Sequence, residues 1–176
     1  MYVQYDMEST VQISIKKIIL ATDFSDASRE AGYHALFLAQ AYKAELKILH
    51  VLDLSRWNVS SQHYLMTGGV NLAAGGLDLT PKELDWLAES QEKTRQRGKN
   101  TLTELADSFD LEVGTIFTEG DPSHEIIHVA EELNADLIVL GTHGHSGWNR
   151  FTIGSVAEFV GRHAPCAVIT IRPKGK

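Results

Sequence analysis

Leu137-Ile138-Val139-Leu140-Gly141-Thr142-His143-Gly144 is the stretch that decides the fold. Four apolar residues in a row, with no polar alternation, mark a strand covered on both faces, as in parallel sheets flanked by helices. After Gly144 come nine residues and then Gly154-Ser155, which opens the helix-like run Val156-Ala157-Glu158-Phe159-Val160. Strand, glycine loop and helix start in that order bring backbone N–H groups and the positive end of a helix dipole together, an arrangement that holds phosphate.

The same kind of strand recurs on either side. Lys17-Ile18-Ile19-Leu20-Ala21-Thr22 is a second continuous apolar run, followed by Asp23-Phe24-Ser25-Asp26, where Ser25 or Asp26 suits a helix N-cap. That helix extends to about Lys43, with Ala31, Ala35, Leu38, Ala39 and Tyr42 on one stripe. Leu46-Lys47-Ile48-Leu49-His50-Val51-Leu52 is the next strand. Residues 53–79 are polar and aperiodic, and they carry Gly68-Gly69 and Gly75-Gly76, so the sequence predicts a flexible insertion near a ligand mouth. Thr80-Pro81-Lys82-Glu83 has the form of a capping box with Pro at N1, which starts a helix running toward Ser108, with Gly98 a point of interruption. A strand over 112–118 follows. Asp121-Pro122 caps another helix, and the chain closes with strand 135–141, helix 155–163 and strand 167–172.

Five strands alternating with helices predict an α/β, Rossmann-like domain: a three-layer sandwich around a five-stranded parallel sheet. In such folds ligands bind beyond the C-terminal strand ends, at the topological switch point. Residues 16–173 read as one domain behind an N-terminal extension over 1–15, with no internal repeat. The net charge of −7 argues against a nucleic-acid backbone or an anionic membrane as partner. No apolar run is long enough to span a bilayer, and the first fifteen residues, with Asp6 and Glu8, do not read as a signal peptide. The expectation is a cytoplasmic protein. The single cysteine, Cys166, rules out an internal disulfide and reads as a small buried hydrophobe.

The spaced pattern G-x-x-G, nine residues, G-S, together with Ile19-Leu20-Ala21-Thr22-Asp23-Phe24-Ser25 and with His50-Val51 ending strand two, resembles the universal stress protein family over nearly the whole chain. The resemblance is to its ATP-binding branch, an adenine nucleotide α-hydrolase-like fold, and it implies the strand order 3-2-1-4-5. It implies ATP, or AMP or ADP, as ligand. Gly141, His143 and Gly144 would approach ribose and phosphates. Gly154, Ser155 and Val156 would give N–H groups to the triphosphate. Asp23 would contact ribose or adenine, with Ala21 and Thr22 beside it, Val51 reading the base through its main chain and Leu140 packing against it. Arg150 would pair with terminal phosphates or face a dimer partner. No dedicated metal site is expected, although Asp23 could meet magnesium carried by the nucleotide. The resemblance also implies homodimerisation through strand five, about 167–172, with higher oligomers open.

Several of these positions have a second reading. Asp23 equally serves as a cap of the first helix, Ser155 with Glu158 forms a capping box of its own, and Gly141 and Gly144 suit simple turns. There is neither a Walker A lysine nor a G-x-S-x-G elbow. The sequence therefore predicts a nucleotide-dependent stress or regulatory protein that acts by binding and association, at most a weak enzyme. The alternatives are a slow magnesium-dependent ATPase and an interaction module that binds no nucleotide.

Overall fold

The computed structural model describes residues 14–53, 80–142 and 153–173. Five strands, β1 (Lys17–Ala21), β2 (Glu45–Leu52), β3 (Gly114–Glu119), β4 (Leu137–Gly141) and β5 (Ala167–Ile171), form one parallel sheet in the order β3-β2-β1-β4-β5. This is the α/β architecture and the strand order expected. The predicted insertion over 53–79 lies outside the described residues, apart from Asp53.

Among the described residues, four helices connect the strands: α1 (Asp26–Tyr42), α2 (Pro81–Asp107), α3 (Pro122–Leu133) and α4 (Ser155–His163). The strands read as unbroken apolar runs because each face has its own core. Ile18, Leu20, Leu46, Ile48, Leu137 and Val139 pack under α1 and α2. Ile19, Leu49, Ile138 and Leu140 pack with Val129 of α3 and Val160 of α4.

Helix α1 sits tight against the sheet because its inner face is small: Ala27, Ser28, Ala31, Gly32, Ala35 and Ala39 are buried. The approach is close enough that a Cβ on Gly141 would lie 2.8 Å from the Ala27 backbone carbon. Gly141 is thus required by packing on α1.

Helix α2 runs unbroken through Gly98, where the sequence had suggested an interruption. Glycine costs a helix interior about 1 kcal/mol relative to alanine. Here it is kept because a Cβ would come within 2.7 Å of the Phe117 ring. At about 1.5 Å per residue, 27 residues give a helix far longer than the strands it covers. Among its described side chains, the one buried in the core comes late, at Leu102.

Candidate functional site

The order β3-β2-β1-β4-β5 sends the chain leaving β1 and the chain leaving β4 to opposite faces of the sheet, α1 to one and α4 to the other. A crevice opens between two such departures. Here it is a cleft of about 510 Å³, within the range of small-molecule sites. Ala21, Thr22, Asp23, Val51, Leu140, Gly141, Gly154, Ser155 and Val156 all line it. The structure therefore gathers every predicted site residue that it describes. His143, Gly144 and Arg150 lie outside the described residues.

One end of the cleft is the start of α4. Gly154 is the N-cap, extended at φ −63° and ψ 151°, and offers no capping side chain. The first helical bond runs from the Glu158 N–H to the Gly154 carbonyl. The N–H groups of Ser155, Val156 and Ala157 consequently have no acceptor within the helix. The capping box suggested by Ser155 and Glu158 does not form, since Ser155 is the first helical residue rather than the cap, and Glu158 pairs with Arg162 at 2.8 Å. The Gly154 N–H itself donates to the Thr142 carbonyl at 2.7 Å, and the Thr142 N–H to Ile171 at 2.8 Å. These two bonds tie Gly154 to Thr142 and Thr142 to β5.

The other two helices that start at the cleft are closed by their own side chains. Ser25 accepts from the Ser28 N–H, and Asp121 from the His124 N–H. The ring Nδ1 of His124 lies 2.8 Å from the same Asp121 oxygen, and this contact leads in holding the Asp121 carboxyl below its ordinary value.

At the centre, β1 ends and leaves β2 exposed along one edge. Leu49 gives its carbonyl to the Thr22 N–H on the β1 side, and Leu52 gives its carbonyl to Gly120 on the β3 side. Main-chain groups of a parallel strand point alternately to its two neighbours. Val51 therefore directs its N–H and C=O toward β1, at a level where β1 has already turned away. Among the described residues outside the strands, no backbone bond to this donor and acceptor is made, and Val51 lines the cleft.

The turn after β1 is folded on itself. The Thr22 hydroxyl donates to the Ser28 hydroxyl at 3.0 Å and accepts from the Phe24 N–H at 3.0 Å, so Thr22 contributes a wall rather than a free hydroxyl. Asp23 uses one oxygen to accept from the Ser25 N–H at 3.1 Å. The capping role suggested for Asp23 thus belongs to Ser25, which Asp23 braces.

Asp121, Ser123, Ile126 and Ser28 also line the cleft, and sequence reasoning had not included them. Asp121-Pro122 reads only as a helix cap. What places it at this cleft is β3 lying next to β2, which the local sequence does not signal. Among the described residues, no group of three or more His, Cys, Asp or Glu side chains is placed to hold a metal ion. Burial pushes the Cys166 thiol up, with Asp136 adding to the effect, which makes it a poor nucleophile. No helix among the described residues is long and apolar enough to cross a membrane.

Fold and cleft together define a doubly wound α/β protein with a crevice at its switch point. The family model of the universal stress protein family matches residues 14–172, and the chain belongs to that family. It is 33% identical over 161 residues to universal stress protein MJ0531 of Methanocaldococcus jannaschii, covering 92% of this chain and 84% of that protein. Among solved structures, universal stress protein UspA from Lactobacillus plantarum matches with a TM-score of 0.64 at 27% identity, covering 92% of this chain and all of that one. A family member from Arabidopsis thaliana with AMP bound shares the fold, with a TM-score of 0.51 at 16% identity, covering 91% and 93%.

Proposed function

We propose that the cleft binds an adenine ribonucleotide, ATP in the first instance, and that occupancy regulates association of the protein with itself or a partner in a stress response. The observation that carries this reading is the start of α4: three N–H groups without intrahelical acceptors, at the positive end of a helix, facing a cleft and left uncapped by Gly154. The neighbouring helix starts are self-capped, so this one is the natural seat for phosphate.

The rest of the cleft supports the same ligand. A donor and an acceptor on Val51 suit the edge of adenine, which offers a ring nitrogen to accept and an amino group to donate. Guanine carries a carbonyl where adenine has that amino group, and would set acceptor against acceptor. Asp23 offers a carboxylate to ribose hydroxyls or to magnesium carried by the nucleotide. His143 and Gly144 keep the phosphate roles that the family resemblance implies, and Arg150 the pairing with terminal phosphates that its guanidinium allows. AMP in the Arabidopsis thaliana protein supports an adenine nucleotide as the kind of ligand this fold accommodates. Homodimerisation through β5 belongs to the same proposal. This strand pairs with β4 along one edge, and Ala167 and Thr170 are exposed.

Protein purified without added nucleotide should release an adenine nucleotide on acid extraction, and calorimetry should show ATP binding tighter than GTP. An empty extract together with no ATP binding overturns the reading. Phosphate release by the same preparation measures turnover, and light scattering measures the dimer.

A further inference from the structure

On the far side of the β1–α1 turn from the α4 helix start lies a histidine that the nucleotide reading leaves unused. His50 is the sixth residue of β2 and alternates with Val51, so its side chain enters the opposite core. Its Nδ1 lies 2.8 Å from the Thr22 carbonyl. A carbonyl only accepts, so the ring proton sits on Nδ1. Burial pushes the imidazole below its ordinary value and leaves it neutral, outweighing the Thr22 carbonyl and Asp23, which act the other way.

The ring is held from three directions. The Phe24 ring centroid is 4.2 Å away and that of Phe117 is 5.7 Å away. A Cβ on Gly98 would come within 3.7 Å of His50 Cδ2, so the bare helix surface closes the remaining side. Phe24 itself has φ +64°, a left-handed conformation that is an outlier for a bulky residue. It persists only where the surroundings over-determine it. Here they do: the Phe24 ring lies on His50, and the Phe24 N–H is bonded to the Thr22 hydroxyl.

We propose that His50 is a positioning residue of the nucleotide cleft: by donating to the Thr22 carbonyl and stacking on Phe24, it holds the β1–α1 turn in the left-handed form that directs Asp23 to the ligand. His50 is among the residues that line the cleft, and its Nδ1 is engaged with the Thr22 carbonyl. It acts through Thr22 and Phe24, the residues on either side of Asp23. The functional half of this inference rests on the nucleotide reading, whereas the structural half concerns the turn alone.

Two measurements on the full chain separate them. Nitrogen-15 spectra of the ligand-free protein read the tautomer directly, and His50 should show a protonated Nδ1 and a bare Nε2. A protonated Nε2 overturns the proposal whatever the protein binds. ATP affinity is then compared in His50→Leu and His50→Asn at a temperature where both are folded. His50→Leu removes the donor and should weaken ATP binding about tenfold, as expected when a buried carbonyl loses its partner. His50→Asn returns an N–H donor near Nδ1 and should recover most of that loss. Wild-type affinity in His50→Leu, or equal loss in both variants, refutes the positioning role. Should the wild type bind no ATP, the function fails instead. The amide signals of Phe24 and Ser25 then decide the structural half, which predicts that they shift in His50→Leu and less in His50→Asn.

Discussion

The two ends of the sheet solve opposite problems. At the N-terminal ends of the strands the chain satisfies itself. Lys43 and Asn134 close α1 and α3 in left-handed caps, and Ala44 and Ala135 return their N–H groups to Ala39 and Ala130 at 2.9 Å. One Asp136 oxygen accepts from the Lys16 and Lys17 N–H groups at 2.8 and 2.9 Å, clamping the start of β1 beside β4. At the C-terminal ends the described residues supply no backbone acceptor for the first turn of α4 or the edge of Val51, and the turn at Phe24 is held in a strained form. The closed end carries the helix caps and the Asp136 clamp, and the open end lines the cleft.

The core beneath both ends sets the largest effect. Leu20 is fully buried at the centre of the sheet. Leu20→Ala should cost about 3 kcal/mol in chemical denaturation and should weaken both ends together. Loss of ATP affinity with unchanged stability would break the idea of a shared scaffold. Gly141→Ala comes next, at about 1–3 kcal/mol, because the added carbon meets the α1 backbone. It should distort the open end specifically, so the loss of ATP binding should exceed what the change in stability explains.

A finer cut is made by proline at the α4 start. Ser155 is the first helical residue and Gly154 is already extended, so Ser155→Pro should fold normally. It deletes one cradle N–H and should weaken ATP binding about tenfold, or about 1.4 kcal/mol, by calorimetry. Ser155→Ala, which removes only the hydroxyl, should do less. Equal effects would show that the side chain rather than the main chain holds the phosphate.

Acid should separate the ends by pH. His50 is held below its ordinary value by burial, so its contribution is complete above the usual histidine range and declines as pH falls below it. The Lys16 and Lys17 N–H groups hold the Asp136 carboxyl below the usual carboxylate range. Its contribution is present above that range and is lost as pH falls through its lowered value. Melting temperature against pH should therefore show an upper step removed by His50→Asn and a lower one removed by Asp136→Asn. Neither change at Asp136 nor the lower step should alter ATP affinity measured at neutral pH.

Much of this could be read from the residues alone. Continuous runs such as Ile18-Ile19-Leu20 and Leu137-Ile138-Val139 already require two covered faces, and Ser25 and Asp121 cap helices where their chemistry suggests. Other features were hidden because they depend on contacts distant in sequence. Gly98 looks like a helix breaker until Phe117 is seen against it. Ser155 and Glu158 have the spacing of a capping box, yet the Gly154–Thr142 bond sets the helix start one residue earlier and leaves the N–H groups open. His50 reads as an ordinary strand residue until β1 delivers the Thr22 carbonyl to its ring.

Sequence by itself determined the five-strand alternating pattern, the glycine-rich departure from β4 and the family, because apolar periodicity and glycine spacing are local properties that each segment carries with it. Tertiary structure alone decided which main-chain donors face the cleft. A main-chain group is free only when every neighbour is accounted for, and neighbours are set by strand order and by how closely α1 and α2 approach the sheet.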